Sequence, residues 1–432
     1  MKIKLGCIAA DFTGATDLAN NLVRSGMRVV QTIGVPTSPL TEHFAADVDA
    51  VVVALKSRTI PAAEAISQSL DALKWLQAQG AAQIYFKYCS TFDSTPEGNI
   101  GPVTEALMDA LATDFTIATP AFPDNGRTVF KGYLFAGNVL LNESGMQNHP
   151  LTPMTDPNLV RVMQAQTKRK VGLIDHSTMA KGTQAIADKI KQLEADGIGV
   201  AIVDATSNDD LKTLGPALKG MPLVTAGSGV AIGLPGNWGL QSSAQAAALP
   251  VPTGHQAIVS GSCSLATQGQ VAHYIASGQP SWQFKPLNWT THHVPAQIKA
   301  DVDAALAWAK PLLSKGPVLV YATTDADTLQ QVQAKFGREQ AGEWMESALA
   351  QVCLGLQALG VKQWVIAGGE TSGACVQALN ITQMQIGPQI DPGVPWCFAP
   401  QHTAGHLTLK SGNFGTPDFF SKALKVLAET TA

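Results

Sequence analysis

Polar side chains that could bind an acidic group and accept a proton lie close to the start of the chain. Residues 8–17 read Ile-Ala-Ala-Asp-Phe-Thr-Gly-Ala-Thr-Asp, which predicts a strand that ends at Asp11 and turns through Gly14 into a helix beginning near Ala15. Ligands of open α/β sheets bind at the carboxyl ends of strands. Asp11 and Asp17 are therefore candidate catalytic carboxylates, with Thr13 and Gly14 as candidate substrate contacts. The alternative is that Asp11 and Thr13 only cap the helix.

A second group of polar residues follows two further predicted strands. Arg58 lies just after one of them, and Lys87, Ser90, Thr91 and Asp93 end or follow the other. Cations and hydroxyls at this edge suit an acidic, polyhydroxylated ligand, because arginine can bind a carboxylate through two parallel hydrogen bonds. We expect Arg58, Lys87, Ser90 and Thr91 to bind substrate and Asp93 to be a candidate base. A solvated surface group is the alternative.

Three loops rich in glycine and serine occur in the last 180 residues or so, each after an apolar segment. Backbone N–H groups exposed at such a loop, before a helix, bind phosphate oxygens favourably. Together the loops predict a cradle for the polyphosphate of a nucleotide, with ordinary turns as the alternative. The candidate nucleotide-binding residues are Ser260, Gly261, Ser262, Gly368, Gly369, Glu370, Thr371 and Gly412.

Several other chemistries find little support. Residues 227–233 superficially resemble a dinucleotide-binding turn, but no Asp or Glu occurs from residue 211 to 300, where the ribose-binding acid would be needed. There is no P-loop motif and no protein-kinase signature. The six cysteines and nine histidines show no metal-ligand spacing, so the ligands of any metal stay unknown.

The elements that position these residues follow an α/β pattern. Short apolar segments alternate with helical ones and predict strands at 5–9, 29–33, 50–55, 82–86, 115–119, 171–174, 199–203 and 222–225, and again at 256–260, 317–321 and 363–367. Helices are expected at 300–313 and 343–359. We predict two α/β domains, each a largely parallel sheet with flanking helices. Their expected bounds are 1–240 and 254–432, joined by a linker at 241–253 that is rich in small residues and proline.

Composition narrows the class of partner. The 432 residues are 45% hydrophobic and 14% charged, with a formal net charge of −4, which is typical of a compact globular protein. No excess of cations favours a nucleic acid or an anionic membrane. No apolar segment reaches membrane-spanning length, and the first residues are too short for a signal peptide. The sequence therefore predicts a cytoplasmic protein that binds small molecules, and homodimer formation stays open.

Taken together, these motifs resemble the four-carbon acid sugar kinase family over essentially the whole chain. The resemblance rests on the three glycine loops and on segments at 34–36, 86–95, 98–102, 141–146 and 153–156. It implies ATP- and Mg²⁺-dependent phosphorylation of a four-carbon sugar acid, with the terminal 4-hydroxyl of 3-oxo-tetronate as the main expectation. A threonate or erythronate kinase is the alternative.

The resemblance also implies a division of labour between a sugar-acid domain and a nucleotide domain. ATP contacts carry over onto the serines that flank Gly261, onto residues 368–371 and onto Gly412. Arg58 and Lys87 are expected to orient the substrate anion, and Asp11, or else Asp17 or Asp93, to accept the hydroxyl proton. The family usually reads Ala-Asp-Asp-Phe-Thr-Gly, whereas Ala10 stands in place of the first acid here. A catalytically silent binding protein on the same scaffold is therefore a further alternative.

Overall fold

The computed structural model describes residues 3–45, 47–92, 95–148, 152–400 and 405–430. The chain divides into two compact units, Met1–Ala247 and Ala248–Ala432. Within the segment expected to be a linker, Ala244–Ala247 form a short 3₁₀ helix that contacts the first helix of unit 1. The assignment of 241–253 as a linker stays a prediction.

Unit 1 contains eleven strands and eight α-helices among its described residues. The strands are β1 (Leu5–Ala9), β2 (Val29–Ile33), β3 (Ala50–Ala54), β4 (Gln83–Lys87), β5 (Thr116–Thr119), β6 (Arg127–Phe130), β7 (Tyr133–Ala136), β8 (Val139–Leu140), β9 (Lys170–Ile174), β10 (Ile198–Val203) and β11 (Leu223–Ala226). The helices are α1 (Phe12–Arg24), α2 (Glu42–Ala45), α3 (Ala62–Ala78), α4 (Ile100–Ala110), α5 (Leu159–Gln164), α6 (His176–Met179), α7 (Thr183–Ala195) and α8 (Asn208–Ala217).

The main sheet of unit 1 is wholly parallel, in the order β2-β3-β1-β4-β11-β5-β10-β9. Strands β1, β3 and β4 are buried along their whole length, as expected for strands covered on both faces. The chain passes from β1 to β2, comes back to β3 between these two strands, and then places β4 on the other side of β1. Such a reversal opens a crevice beyond the carboxyl end of β1, which is where Asp11 lies.

A second sheet in unit 1 was not predicted from the sequence. Strands β6, β7 and β8 form an antiparallel meander. It is tied to the main sheet by Asp204, a fully buried residue directly after β10, whose carboxylate accepts hydrogen bonds from the backbone N–H groups of Lys131, Gly132 and His176 at 2.7–2.9 Å. Burial raises the pKa of Asp204, and these three donors offset part of the rise.

Unit 2 contains seven strands and six α-helices among its described residues. The strands are β12 (His255–Ser260), β13 (Ser281–Gln283), β14 (Val318–Tyr321), β15 (Val361–Ala367), β16 (Gln383–Asp391), β17 (Val394–Ala399) and β18 (Gly405–Lys410). The helices are α9 (Leu265–Ala276), α10 (Val294–Ala309), α11 (Ala326–Phe336), α12 (Arg338–Ala358), α13 (Gly369–Ala378) and α14 (Phe419–Thr430).

The sheet of unit 2 is mixed, in the order β13-β14-β12-β15-β18-β17-β16. The first five strands run parallel, whereas β17 is antiparallel to β18 and to β16. Trp364 and Trp396 are fully buried, and Trp396 belongs to the core cluster under α14. The indole N–H of Trp396 donates to the carbonyl of Ala423 at 2.8 Å, so this large side chain is buried without an unsatisfied donor.

The observed fold confirms two α/β units with largely parallel sheets and flanking helices. All eleven predicted strands are present, with ends that differ by no more than two residues. The helix expected at 300–313 is α10, which begins and ends earlier in the chain. Across the described residues, none of the helices is both long and apolar enough to cross a membrane.

Candidate active site

The carboxyl edge of the unit 1 sheet brings together loops that are far apart in sequence. Ala9, the last residue of β1, pairs with Ala54 at the end of β3 and with Lys87 at the end of β4. Lys87 in turn pairs with Ala226 at the end of β11. Because parallel strands end together here, the residues that follow each of them meet at one edge, as the sequence predicted.

Asp11 acts as both a helix cap and a charged group of this edge. The helix begins at Phe12, three residues before the predicted start near Ala15, because one carboxylate oxygen of Asp11 accepts the Gly14 N–H at 2.6 Å. The cap uses Oδ1, while Oδ2 faces two cations. The capping and functional interpretations are therefore compatible.

The two cations next to Asp11 are Lys87 and Arg58. Lys87 Nζ lies 3.7 Å and Arg58 Nη1 3.9 Å from Oδ2 of Asp11. Lys87 is only 3% exposed, so its charge acts in a poorly screened environment. Gly14 makes room for it, because a Cβ at that position would lie 1.7 Å from Lys87 Nζ. A carboxylate beside two cations can anchor a hydroxyl, while the cations can hold an anion.

Asp17 joins this group through a partner that sequence reasoning missed. Its Oδ2 accepts a hydrogen bond from the Ser228 hydroxyl, and the Ser228 carbonyl accepts one from Asn21 Nδ2 at 3.1 Å. Burial raises the pKa of Asp17, while Lys87 and the Ser228 hydroxyl lower it in part. Ser228 lies two residues beyond β11, so its position at a strand end was the available signal.

The segment 227–233 accordingly takes no dinucleotide-binding form. Gly229–Gly233 fold into a 3₁₀ helix, which packs against α1 and α8. A Cβ on Gly229 would lie 2.2 Å from the Ala121 carbonyl oxygen. The glycine is therefore explained by close packing against the chain that follows β5.

The remaining predicted substrate residues differ in their surroundings. The loop that carries Arg58 is fixed by Asn99, whose Nδ2 donates to the Ser57 carbonyl at 2.6 Å. Ser90 and Thr91 are half-buried in the turn after β4, and Thr13 is exposed in the first turn of α1. Asp93 lies outside the described residues.

The three glycine loops of unit 2 also meet at one sheet edge. Ser260 at the end of β12 pairs with Ala367 at the end of β15, which pairs with Lys410 at the end of β18. The Ala367 carbonyl accepts the N–H of Gly261 at 3.0 Å, and the Lys410 carbonyl accepts the N–H of Gly368 at 2.8 Å. The predicted nucleotide-binding residues therefore form one continuous cluster.

Close packing explains three of the four glycines in this cluster. A Cβ on Gly261 would lie 2.2 Å from Thr371 Oγ1, and one on Gly412 would lie 2.7 Å from Ser262 Oγ. Gly368 has a φ of 128°, which few other residues adopt, and its Cβ would lie 2.8 Å from Thr371 Oγ1. Gly369 is different, because a Cβ there would meet no atom within 4 Å from the described parts of the chain beyond its neighbours and its own helix backbone. The space over Gly369 is thus open to a ligand.

Two helices begin at this cluster and give it an electrostatic preference. Helix α9 starts after Ser264, which caps it through Thr267, and α13 starts at Gly369. The first N–H groups of a helix have no partner inside it and carry partial positive charge, which favours phosphate. The hydroxyl of Ser260 is buried and bonded to Thr323 Oγ1 at 2.7 Å, so that side chain supports the loop from beneath.

Lys410 is a buried cation under the same loops, and the sequence did not single it out. Its ammonium group donates to Thr267 Oγ1 at 2.9 Å, to the Ser411 carbonyl at 3.0 Å and to the Gly412 carbonyl at 3.1 Å. Thr267 Oγ1 also donates to the Gly412 carbonyl at 2.8 Å. Burial lowers the pKa of Lys410 to about 8. Its three donors hold these carbonyls inward and add positive charge beneath the cradle.

A cavity of about 480 Å³ adjoins the cluster in unit 2. Residues of two of the glycine loops line it together with apolar side chains of α11 and α12, and this volume is in the range of small-molecule sites. Its lining includes Gly261, Cys263, Phe284, Leu287, Asp325, Leu329, Val332, Met345, Leu349, Glu370 and Thr371. Within the described ranges, no group of three or more His, Cys, Asp and Glu side chains is arranged to hold a metal ion.

Comparison with known proteins assigns different domain families to the two parts of the chain. Residues 5–234 match a family described as a sugar-binding N-terminal domain, and residues 257–420 match a nucleotide-binding C-terminal domain. Proteins named 3-oxo-tetronate kinase from Burkholderia multivorans and Cupriavidus necator are 56% and 54% identical to this chain, and in both cases the match covers 98% of this chain and 97% of the relative.

A solved structure from Salmonella typhimurium LT2, provisionally described as a tRNA synthase, is 44% identical and matches with a TM-score of 0.90 over 98% of this chain and 99% of its own. The matched domains and the full-length identities place the chain in a single family. The chain belongs to the four-carbon acid sugar kinase family.

Proposed function

We propose that this protein is an ATP-dependent kinase that phosphorylates the terminal 4-hydroxyl of 3-oxo-tetronate. The observation that carries the proposal is its identity of up to 56%, over nearly the full length, to proteins named 3-oxo-tetronate kinase. The two residue clusters support it, since one combines cations with carboxylates and the other is a glycine-rich cradle at two helix N-termini.

The nucleotide would bind in unit 2. Phosphoryl transfer depends mainly on positioning the reacting groups and on neutralising charge, both of which a rigid cradle can supply. Gly369 would admit the phosphates close to the backbone, Gly261 and Gly412 would let the loops pack together around it, and the adjoining cavity would take the nucleoside. Lys410 would keep the loop in the required conformation.

The sugar acid would bind in unit 1. Arg58 and Lys87 would orient its carboxylate, and Asp11 would position its hydroxyl and accept the proton as the phosphoryl group is transferred. Asp11 is the better candidate than Asp17, because the Asp11 side chain is 22% exposed at the mouth of the crevice, whereas Asp17 is engaged by Ser228. Asp17 would then hold Ser228 and counter the charge of Lys87.

The residues of unit 2 fit a Mg²⁺ ion that is bound together with the triphosphate. It usually keeps several waters and takes one or two carboxylates together with phosphate oxygens. Glu370 is exposed in the first turn of α13, where a carboxylate beside phosphate would be repelled unless a cation lay between them. When bound, the ion would neutralise phosphate charge, and Glu370 is the residue that would hold it.

Ala10 bears on the alternative of a silent binding protein. The Ala10 side chain is buried, and its carbonyl accepts the N–H groups of Ser57 at 2.8 Å and Arg58 at 3.1 Å. This backbone contact places Arg58 whatever side chain stands at position 10. The site is therefore compatible with catalysis despite the missing acid.

The test is ADP release from pure protein with Mg²⁺ and ATP across 3-oxo-tetronate, threonate and erythronate, with the phosphorylated carbon located by ³¹P–¹H NMR. We expect the highest kcat/KM with 3-oxo-tetronate and phosphate on carbon 4. Preference for threonate or erythronate would favour that alternative. Binding of these acids without ADP release would favour the silent protein.

A further inference from the structure

Arg127, the first residue of β6, is a half-buried cation that has no acidic partner among the residues the structure describes. Within the described parts of the chain, its side chain makes one hydrogen bond, from Nη1 to the carbonyl of Asn125 at 3.2 Å. Its Nε is buried and has no hydrogen-bond partner among those residues. Burial lowers the pKa of this guanidinium. Most N–H donors of the Arg127 guanidinium are thus available to a ligand, although the side chain is partly removed from water.

The backbone places Arg127 at the carboxyl edge of the main sheet of unit 1. Arg127 and Phe122 exchange two backbone hydrogen bonds of 2.8 and 3.0 Å, and Phe122 lies three residues beyond the end of β5. Val129, two residues further along β6, is fully buried and bridges Ala205 beyond the end of β10. Side chains two apart in a strand share a face, so Arg127 faces the sheet edge with Val129.

This position is linked to Asp17 through the loop that follows β11. A Cβ on Gly229 would lie 3.1 Å from the Cα of Phe122, the bridge partner of Arg127. Ser228, the residue before Gly229, donates a hydrogen bond to the carboxylate of Asp17. Arg127 therefore flanks the loop that closes one side of the candidate sugar-acid site.

Considering only the described residues of unit 1, the lack of a counter-charge sets the half-buried Arg127 apart from the buried charges Lys87 and Asp204. Lys87 faces Asp11, and Asp204 accepts three N–H groups. A charge that is partly desolvated and not compensated destabilises the protein, so it is retained where something anionic compensates it during function. A planar guanidinium is suited to oxyanions, which it can bind through two parallel hydrogen bonds.

We propose that Arg127 is an anion-binding residue of the sugar-acid site, where it takes an oxyanion group of the ligand. This inference rests on the proposed function and deepens it. The substrate and its product offer two such groups, the carboxylate of the sugar acid and the phosphate of the product.

The test compares Arg127→Gln and Arg127→Lys with the native protein by calorimetric titration. The probes are threonate, its uncharged amide and inorganic phosphate. Arg161→Gln is the matched control, because Arg161 belongs to the same unit but is already bound by Asp156 through two hydrogen bonds of 2.6 and 2.7 Å. Melting temperatures of all variants are recorded without ligand.

We expect Arg127→Gln to bind at least one oxyanion probe at least about tenfold more weakly, with Arg161→Gln unchanged, since a lost charged partner in a desolvated site costs more than one tenfold step. Loss for threonate but not for phosphate would assign the carboxylate, and the reverse would assign the phosphate. Arg127→Lys should recover only part of the affinity. The melting temperature of Arg127→Gln should be unchanged or raised, because an uncompensated charge is removed.

Unchanged affinity for threonate and phosphate in both Arg127 variants would overturn the proposal. A lowered melting temperature together with native affinity would instead make Arg127 a structural residue. These measurements need no turnover, so a native protein that binds threonate without phosphorylating any acid would refute the proposed kinase while leaving the role of Arg127 to be decided by affinity. A native protein that binds neither oxyanion would overturn the inference about Arg127 itself.

Discussion

Adjacent glycines in the loop before α13 give opposite expectations for stability. We predict that Gly369→Val abolishes nucleotide binding while the ligand-free protein melts as the native protein does. Apart from its chain neighbours and its own helix backbone, no described atom lies within 4 Å of a Cβ at Gly369, and its backbone is not in the left-handed region. A valine side chain would therefore occupy the space assigned to phosphate without a clash in the free protein.

Gly368→Ala is the matched comparison, because it adds only a methyl group at the neighbouring position. Gly368 has a φ of 128°, and its Cβ would lie 2.8 Å from Thr371 Oγ1 and 3.1 Å from the Ser262 nitrogen. A non-glycine residue in such a conformation costs about 1–3 kcal/mol, before any clash is counted. Replacing glycine by valine at the start of a helix changes the helix propensity by only about 0.5 kcal/mol, and in the stabilising direction.

Melting curves with and without a non-hydrolysable ATP analogue distinguish the two variants. At a concentration of 100 times Kd, the analogue should stabilise the native protein by about 2.7 kcal/mol. Gly369→Val should lose this gain and keep its ligand-free melting temperature, whereas Gly368→Ala should melt earlier even without ligand. Titration with the sugar acid should be unaffected by Gly369→Val. Near-native affinity of Gly369→Val for the analogue would show that this loop is only a turn and that the nucleotide site is misplaced.

Three further predictions concern charged residues. As pH rises through the Lys410 pKa of about 8, ATP affinity should fall, because the ammonium group loses its charge. The contribution of Lys410 to the free energy of unfolding should rise between pH 8 and 10.5, because over that range the unfolded chain still binds a proton that the folded protein has released. Lys410→Met should bind ATP weakly and abolish both trends, and an ATP affinity that does not change from pH 7 to 9.5 would contradict this role. Asp11→Asn should lower kcat by about 10²-fold or more. Asparagine caps α1 nearly as well as aspartate, so any fall in melting temperature should come from the less compensated charge of Lys87 and not from the cap. Retained turnover would exclude Asp11 as the base. Arg58→Ala should raise KM for the sugar acid by about 30-fold and leave KM for ATP unchanged. This rise is at the low end of the range for a charge pair, because the Arg58 side chain is 35% exposed. An unchanged KM for the acid would remove Arg58 from the site.

The parts of the fold that the sequence predicted are those whose signal is local. Strands β1, β3 and β4 are short, apolar and followed by polar residues, so their ends could be predicted within one residue. The β6–β8 meander carries less signal, because its strands have two to four residues and no more than one residue of each is buried. Its attachment depends on Asp204, about 70 residues further along the chain, and no local pattern reports such a contact.

The start of α1 shows a different limit. The sequence prediction began the helix near Ala15 because Gly14 was interpreted as the turn, but glycine is needed there for another reason. The Lys87 ammonium group occupies the space of its missing side chain. Gly14 therefore reports a contact with a residue 73 positions away, and a local interpretation of the glycine placed the helix too late.

Strand ends predicted most of the candidate site, and the exceptions have a common cause. Asp11, Arg58 and Lys87 are polar residues at or just after apolar strands, and parallel strands bring such residues to one edge whatever their order in the sheet. Ser228 obeys the same rule, yet its glycine-rich segment was considered only as a dinucleotide-binding turn and was set aside with that interpretation. Arg127 lies at this sheet edge only because its backbone pairs with Phe122, just beyond the end of β5. The composition of the sequence does not reveal such a pairing. Proximity to a strand end is thus sufficient to nominate a residue for the site, but the partners that set its charge come from segments whose pairing only the fold determines.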